Sequence, residues 1–134
     1  MTNFQENFND SIIKSKANYD LEERTAKFAE NVIALVKKIK ITPVNMRIIS
    51  QLVGAAGSIG ANYCEATEAE SRKDFVHKIG ICKKEIKETR HWLRLLVSVN
   101  SEKEKEIKIL WKEAQELLLI FSKISRSTIK GFEN

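Results

Sequence analysis

Seven residues of one stretch, Phe75, Ile79, Cys82, Ile86, Thr89, Leu93 and Leu96, follow one another at spacings of four and three in strict alternation. A period of that kind describes a long helix with a narrow apolar seam, and such a seam stays covered only if the partner helices run nearly parallel to it. No segment alternates with period two over a useful length, so strands are not expected. With one proline and five glycines in 134 residues, few positions break a helix, and the length fits a single domain. Apolar residues at 43% and charged residues at 31% fit a globular chain with its own core rather than a disordered one.

Three further helices are expected around this one. Asp20, followed by Glu23, opens a capping-box-like start, and Phe28, Val32, Leu35, Val36 and Ile39 place a first helix at about 21–40. Lys37, Lys38 and Lys40 then fall in its last turn, where the dipole favours cations. Thr42 and Pro43 supply a cap and a first helical residue for a second helix ending near Ala69, with Val44, Ile48, Leu52, Ala55, Ile59, Tyr63 and Ala66 on its buried stripe. Ser71 and Asp74 begin the third helix. A fourth is expected at about 102–129 on Ile107, Leu110, Trp111, Ala114, Leu117, Leu118, Phe121 and Ile124, closed by Gly131. Connections this short join antiparallel neighbours, so the expected fold is an all-α, up-and-down four-helix bundle over residues 20–131. Residues 1–19 read as a flexible N-terminal arm with Phe4, Phe8, Ile12 and Ile13 scattered along it.

Within the second helix, residues 52–66 replace bulky side chains with small ones and include Gly54, Gly57 and Gly60. Each interior glycine costs about 1 kcal/mol of helix propensity against alanine, and close packing by neighbouring helices is the expected compensation.

The formal charge is +5, a modest excess whose placement matters more than its size. Between Arg72 and Arg94 eight bases face three acids, so this segment alone carries a surplus equal to that of the whole chain. On a helical projection Asp74, Glu85 and Glu88 fall on one side of the apolar seam. Arg72, Lys73, Lys83, Lys84, Lys87, Arg90 and Arg94 fall on the other, and only Lys78 departs from the sorting. Two readings of this flank are open: a solvated face whose bases pair with acids of a neighbouring helix, or a phosphate-binding surface.

Little else carries chemistry. His77 and His91 lie too far apart along one helix to share a metal, and no Cys, His, Asp or Glu group has a ligand spacing, so neither metal nor cofactor is expected. Cys82 lies on the seam as a small core residue, and Cys64 has no activating neighbour in the sequence. Ser58, Asn62 and Glu65 form a polar ladder read as a structural cluster that fixes helix register, with proton transfer as the lesser reading. The glycines at 54–60 lack the preceding strand and turn of a phosphate loop. Trp92 and Trp111 are expected in the core or at a subunit interface rather than stacked on bases. The longest apolar run, 117–121, is far below the ~20 residues of a membrane span. Two cysteines without a framework pattern and no signal-like opening point to a cytoplasmic protein.

Three segments carry a family likeness. Ser58-Ile59-Gly60-Ala61-Asn62-Tyr63-Cys64-Glu65-Ala66, then Ser71-Arg72-Lys73-Asp74-Phe75, then Lys84-Glu85-Ile86-Lys87-Glu88-Thr89 leading into Trp92-Leu93-Arg94-Leu95-Leu96, resemble the bacterial four-helix-bundle proteins encoded in intervening sequences of 23S ribosomal RNA genes. The likeness covers nearly the whole chain, and the chain departs from many relatives at Ala66 and His91. It implies a bundle that assembles into a barrel-like homopentamer, as does the related accessory protein of diversity-generating retroelements, which binds nucleic acid and its reverse transcriptase through a basic surface. It supplies no catalytic residues. The expectation is therefore a non-enzymatic, oligomeric protein that contacts structured RNA or DNA through the basic flank of helix three. The alternative is a scaffold for a protein partner such as a reverse transcriptase or a ribosome-associated factor.

Overall fold

The computed structural model of the chain describes residues 20–133; the arm expected at residues 1–19 lies outside them. Four α-helices follow in order: α1 Leu21–Val36, α2 Pro43–Thr67, α3 Arg72–Val99 and α4 Glu104–Glu133, the last preceded by a 3-10 turn at Ser101–Lys103. The described residues contain no strand.

The helix starts follow the capping chemistry of the sequence. Asp20, Thr42 and Ser71 each accept, through their side-chain oxygens, the backbone N–H three residues on, at 3.0 Å in every case. Pro43 occupies the first turn of α2, where its missing N–H leaves nothing unpaired.

The ends depart from expectation. α1 stops at Val36 rather than near Lys40, because the chain tightens: Lys38 N–H donates to Leu35 and Ile39 N–H to Val36, and this turn carries Ile39 into the core at 6% exposure. Lys37, Lys38 and Lys40 therefore lie beyond the helix rather than in its last turn. α2 ends at Thr67, and Gly131 lies inside α4 instead of closing it. Arg72 fills the space beside that glycine, where an added Cβ would meet its Nη1 at 3.0 Å.

Cross-helix contacts establish the antiparallel directions. Glu65 of α2 meets Lys78 of α3, while Asn45 near the start of α2 meets Asn100 at the end of α3. Arg72 of α3 lies beside Gly131 of α4, and Arg90 beside Gln115. Thr25 of α1 lies beside Gly60 of α2. The ring closes where Arg24 of α1 grips Glu113 of α4 with two bonds at 2.8 and 2.9 Å and reaches Glu116 at 2.9 Å. The bond to Glu113, more than any other influence, raises the Arg24 pKa.

All seven seam residues of α3 are buried. All but Thr89 join Phe28, Val32, Leu52, Ile59, Tyr63, Ile107, Leu117 and Phe121 in one core, each large side chain contributing about 1.5–3 kcal/mol through removal from water. Tyr63 and Phe121 touch edge to face across it, centroids 5.7 Å apart.

Two expectations about α2 are corrected. Val44 is 55% exposed, and its neighbour Asn45 is buried in its place. The small-residue stretch is not gripped on every side: beside Gly54 and Gly57 there is open space, and only Gly60 is closely approached, by the buried Thr25. The cost of these two glycines is thus not offset by packing among the described residues.

At one end Asn45 and Asn100, 3% and 4% exposed, exchange side-chain hydrogen bonds of 3.2 and 2.8 Å. Asn45 also donates to the Lys40 carbonyl and Asn100 to that of Leu96. This pair ties the α1–α2 turn to the end of α3.

Candidate nucleic-acid interface

The sorted charges of α3 translate directly into position. Glu85 and Glu88 turn toward α2, where they border a shallow hollow with Gln51, Gly54 and Ser58. Burial, with Glu88 beside it, raises the Glu85 pKa. The basic flank turns toward α4.

Lys73, Lys84, Lys87 and Arg94 are exposed and Lys83 is half-buried. None of these five, nor Arg90, forms an ion pair with a carboxylate among the described residues. Lys78, which departed from the flank in projection, does pair, 2.8 Å from Glu65. That contact raises the Lys78 pKa. Arg72 lies over the C-terminal part of α4.

Arg90 differs from the rest. One Nη donates to Gln115, its guanidinium carbon stands 5.5 Å from the centre of the Trp111 ring, and its Nε is buried without a partner among the described residues. It is tied into the α3–α4 seam rather than held out to solvent.

Trp111, expected in the core or at an interface, is 39% exposed, so the bundle of described residues does not bury it. It forms one wall of a groove of about 550 Å³ between α3 and α4. Leu93, Val97 and Ile107 supply the apolar floor, and Arg94, Lys108 and Lys112 the cationic rim. Lys108 has a loose contact at 3.8 Å with Glu104. Lys112 has no ion pair among the described residues. The positive surface thus crosses from α3 onto α4. Trp92, in contrast, packs against the core and donates to Glu88 at 3.3 Å.

The polar ladder does not form a network. Ser58 donates to the Gly54 carbonyl and Asn62 to that of Ser58, both at 2.8 Å, while Glu65 turns to Lys78. The three side chains share no hydrogen bond with one another: Ser58 and Asn62 bond the local backbone of α2, and Glu65 reaches across to α3.

The two cysteines are chemically quiet. Burial pushes the Cys82 thiol up to about 12, and partial burial and the nearby Glu22 raise that of exposed Cys64. Among the described residues, no group of three or more His, Cys, Asp or Glu is placed to hold a metal, and no helix is long and apolar enough to cross a membrane.

Residues 17–123, which span all of α1, α2 and α3 and most of α4, match the family described as 23S rRNA-intervening sequence protein. The chain belongs to this family. A crystal structure of a protein of unknown function from the S23 ribosomal protein family of Bacteroides thetaiotaomicron has a similar fold, with a TM-score of 0.70 and 27% sequence identity. The match covers 79% of this chain and 98% of that one. No curated protein matches the chain. In this intervening-sequence protein the α4 side of the basic surface escaped the sequence reading, although Lys108, Trp111 and Lys112 stand at i, i+3 and i+4. Projecting α4 as α3 was projected would have put all three on one face.

Proposed function

We propose that this chain is a non-enzymatic, oligomeric binding protein that holds structured RNA or DNA by its phosphates through the outward flank of α3. The supporting observation is the set of cations without carboxylate partners among the described residues: Lys73, Lys83, Lys84, Lys87 and Arg94. Beside Arg94, at the far end of the row, Lys108 and Lys112 of α4 extend the positive surface rather than neutralise it. Recognition of this kind is weakly sequence-selective and strongly salt-dependent. The resemblance to intervening-sequence proteins adds a barrel-like homopentamer in a bacterial cytoplasm, kin to the retroelement accessory protein; repetition of the basic flank around a ring would multiply a weak contact. The test is anisotropy with a labelled RNA hairpin across a salt series. Affinity should fall steeply with salt, and replacement of Lys83, Lys84 and Lys87 by glutamate should abolish it. No binding at low salt, or full binding by the triple variant, overturns the assignment.

A second reading, a scaffold for a protein partner, is supported by the apolar residues left open near the Asn45–Asn100 end. There Ile41, Val44, Met46 and Val99 are 79%, 55%, 58% and 44% exposed. Capture of one partner from nuclease-treated lysate, lost with Val44→Asp and Met46→Asp, would favour it over the phosphate reading.

A further inference from the structure

The groove beside Trp111 combines features that phosphate contact alone does not call for. Resting on the nucleic-acid reading above and extending it, we infer that this groove takes an unpaired nucleobase, stacked on Trp111, while Arg94, Lys108 and Lys112 hold the flanking phosphates. Three observations converge. The indole is 39% exposed, whereas Phe121, on the same helix, is fully buried. Arg90, fastened to Gln115, lies against that ring and restrains it, as a stacking platform must be restrained to repay the ordering of its ligand. The rim is cationic and the floor apolar, the combination that suits a flat, weakly polar base attached to an anionic backbone.

An acidic peptide would satisfy the rim, but it would leave no purpose for a guanidinium-backed indole. A continuous duplex would satisfy the flank of α3, yet its bases are already stacked and cannot enter a groove. The about 550 Å³ available lies within the usual ~300–1,000 Å³ range of ligand clefts. The substrate class is thus folded RNA or DNA with a loop, bulge or single-stranded end beside a helical segment.

The full-length chain is tested by anisotropy against a short unstructured RNA strand and against the same strand as a blunt duplex. Trp111→Ala should weaken single-strand binding roughly tenfold and duplex binding less than twofold, and Trp111→Phe should retain most of it. Because Trp111 is exposed, both variants should fold, which circular dichroism checks. In a Trp92→Phe background the remaining indole reports directly: its emission should be quenched by the single strand and not by the duplex. Loss of lysine-dependent duplex binding is a separate readout. If Lys83, Lys84 and Lys87 matter while Trp111→Ala changes nothing, the base site is wrong and the phosphate surface survives. If neither nucleic acid binds at low salt, both fall. If a tryptophan-free acidic peptide quenches Trp111 and RNA does not, the groove belongs to a protein partner and the inference is overturned.

Discussion

Replacing Asn45 by alanine tests the polar lock at the end of the bundle. The substitution removes three hydrogen bonds: those donated to the Lys40 carbonyl and to Asn100 Oδ1, and the one accepted from Asn100 Nδ2. Lys40 is exposed, so its carbonyl can turn to water at little cost. Asn100 is 4% exposed; its Nδ2 keeps the Leu96 carbonyl, but its Oδ1 loses the donor Asn45 supplied. With ~1 kcal/mol net for a hydrogen bond and ~1–3 kcal/mol for a buried polar atom left without one, Asn45→Ala should cost about 2–4 kcal/mol. That is a large share of the ~5–15 kcal/mol of a typical domain. Asn100→Ala should cost a similar amount, and the double variant clearly less than the sum, with a coupling energy of about 1–2 kcal/mol. Urea unfolding followed by circular dichroism at one fixed protein concentration measures all four corners of the cycle. A cost below ~0.5 kcal/mol for Asn45→Ala, or strict additivity in the double variant, would refute the account of these amides as a mutually dependent pair.

Two other predictions follow from local geometry. Gly80→Ala, with open space around its added Cβ, should stabilise α3 by about 1 kcal/mol, whereas Gly60→Ala should destabilise. Its Cβ would sit 3.0 Å from the Thr25 hydroxyl, which is held by the Leu21 and Glu22 carbonyls and cannot yield without losing those bonds; melting temperatures that rise equally in both variants would contradict this. For Cys82, burial raises the folded thiol from an ordinary 9.0 to about 12, so the unfolded chain loses its proton first. The contribution is intact below pH 9 and is lost as pH rises toward 12, at ~1.4 kcal/mol per unit. Cys82→Ala should remove that slope from stability measured against alkaline pH, and native protein should be alkylated at exposed Cys64 but not at Cys82.

The parts of this fold that were legible in the sequence are those governed by neighbours a few residues away. The seam of α3 was read position by position, and the caps at Asp20, Thr42 and Ser71 act as their sequence motifs imply, because a cap needs only the next turn of chain. Misreadings arose where a distant partner decides. Val44 is more apolar than Asn45, yet Asn45 is the buried one, because its amide has a complement 55 residues on. The three glycines of α2 look alike in sequence, but Thr25 on another helix approaches only one of them. The candidate interface was half legible: the charge sorting of α3 follows from periodicity, whereas the groove at Trp111 exists only where Leu93 and Val97 of α3 meet Ile107 of α4. The engagement of Arg90 with Gln115 could not be read from α3 alone.

The order in which the helices pack also has a kinetic side. α2 and α3, joined at residues 68–71, share the most extensive packing, whereas the α1–α4 contact must close nearly the full length of the chain. Nearby surfaces meet first because short loops close at little entropic cost, so α2 and α3 should pair while a nascent chain is still emerging, with the Arg24 clasp to Glu113 forming last. Removing that clasp with Arg24→Ala should then speed unfolding in stopped-flow experiments and leave the refolding rate almost unchanged; a slowed refolding rate would place the closure early instead.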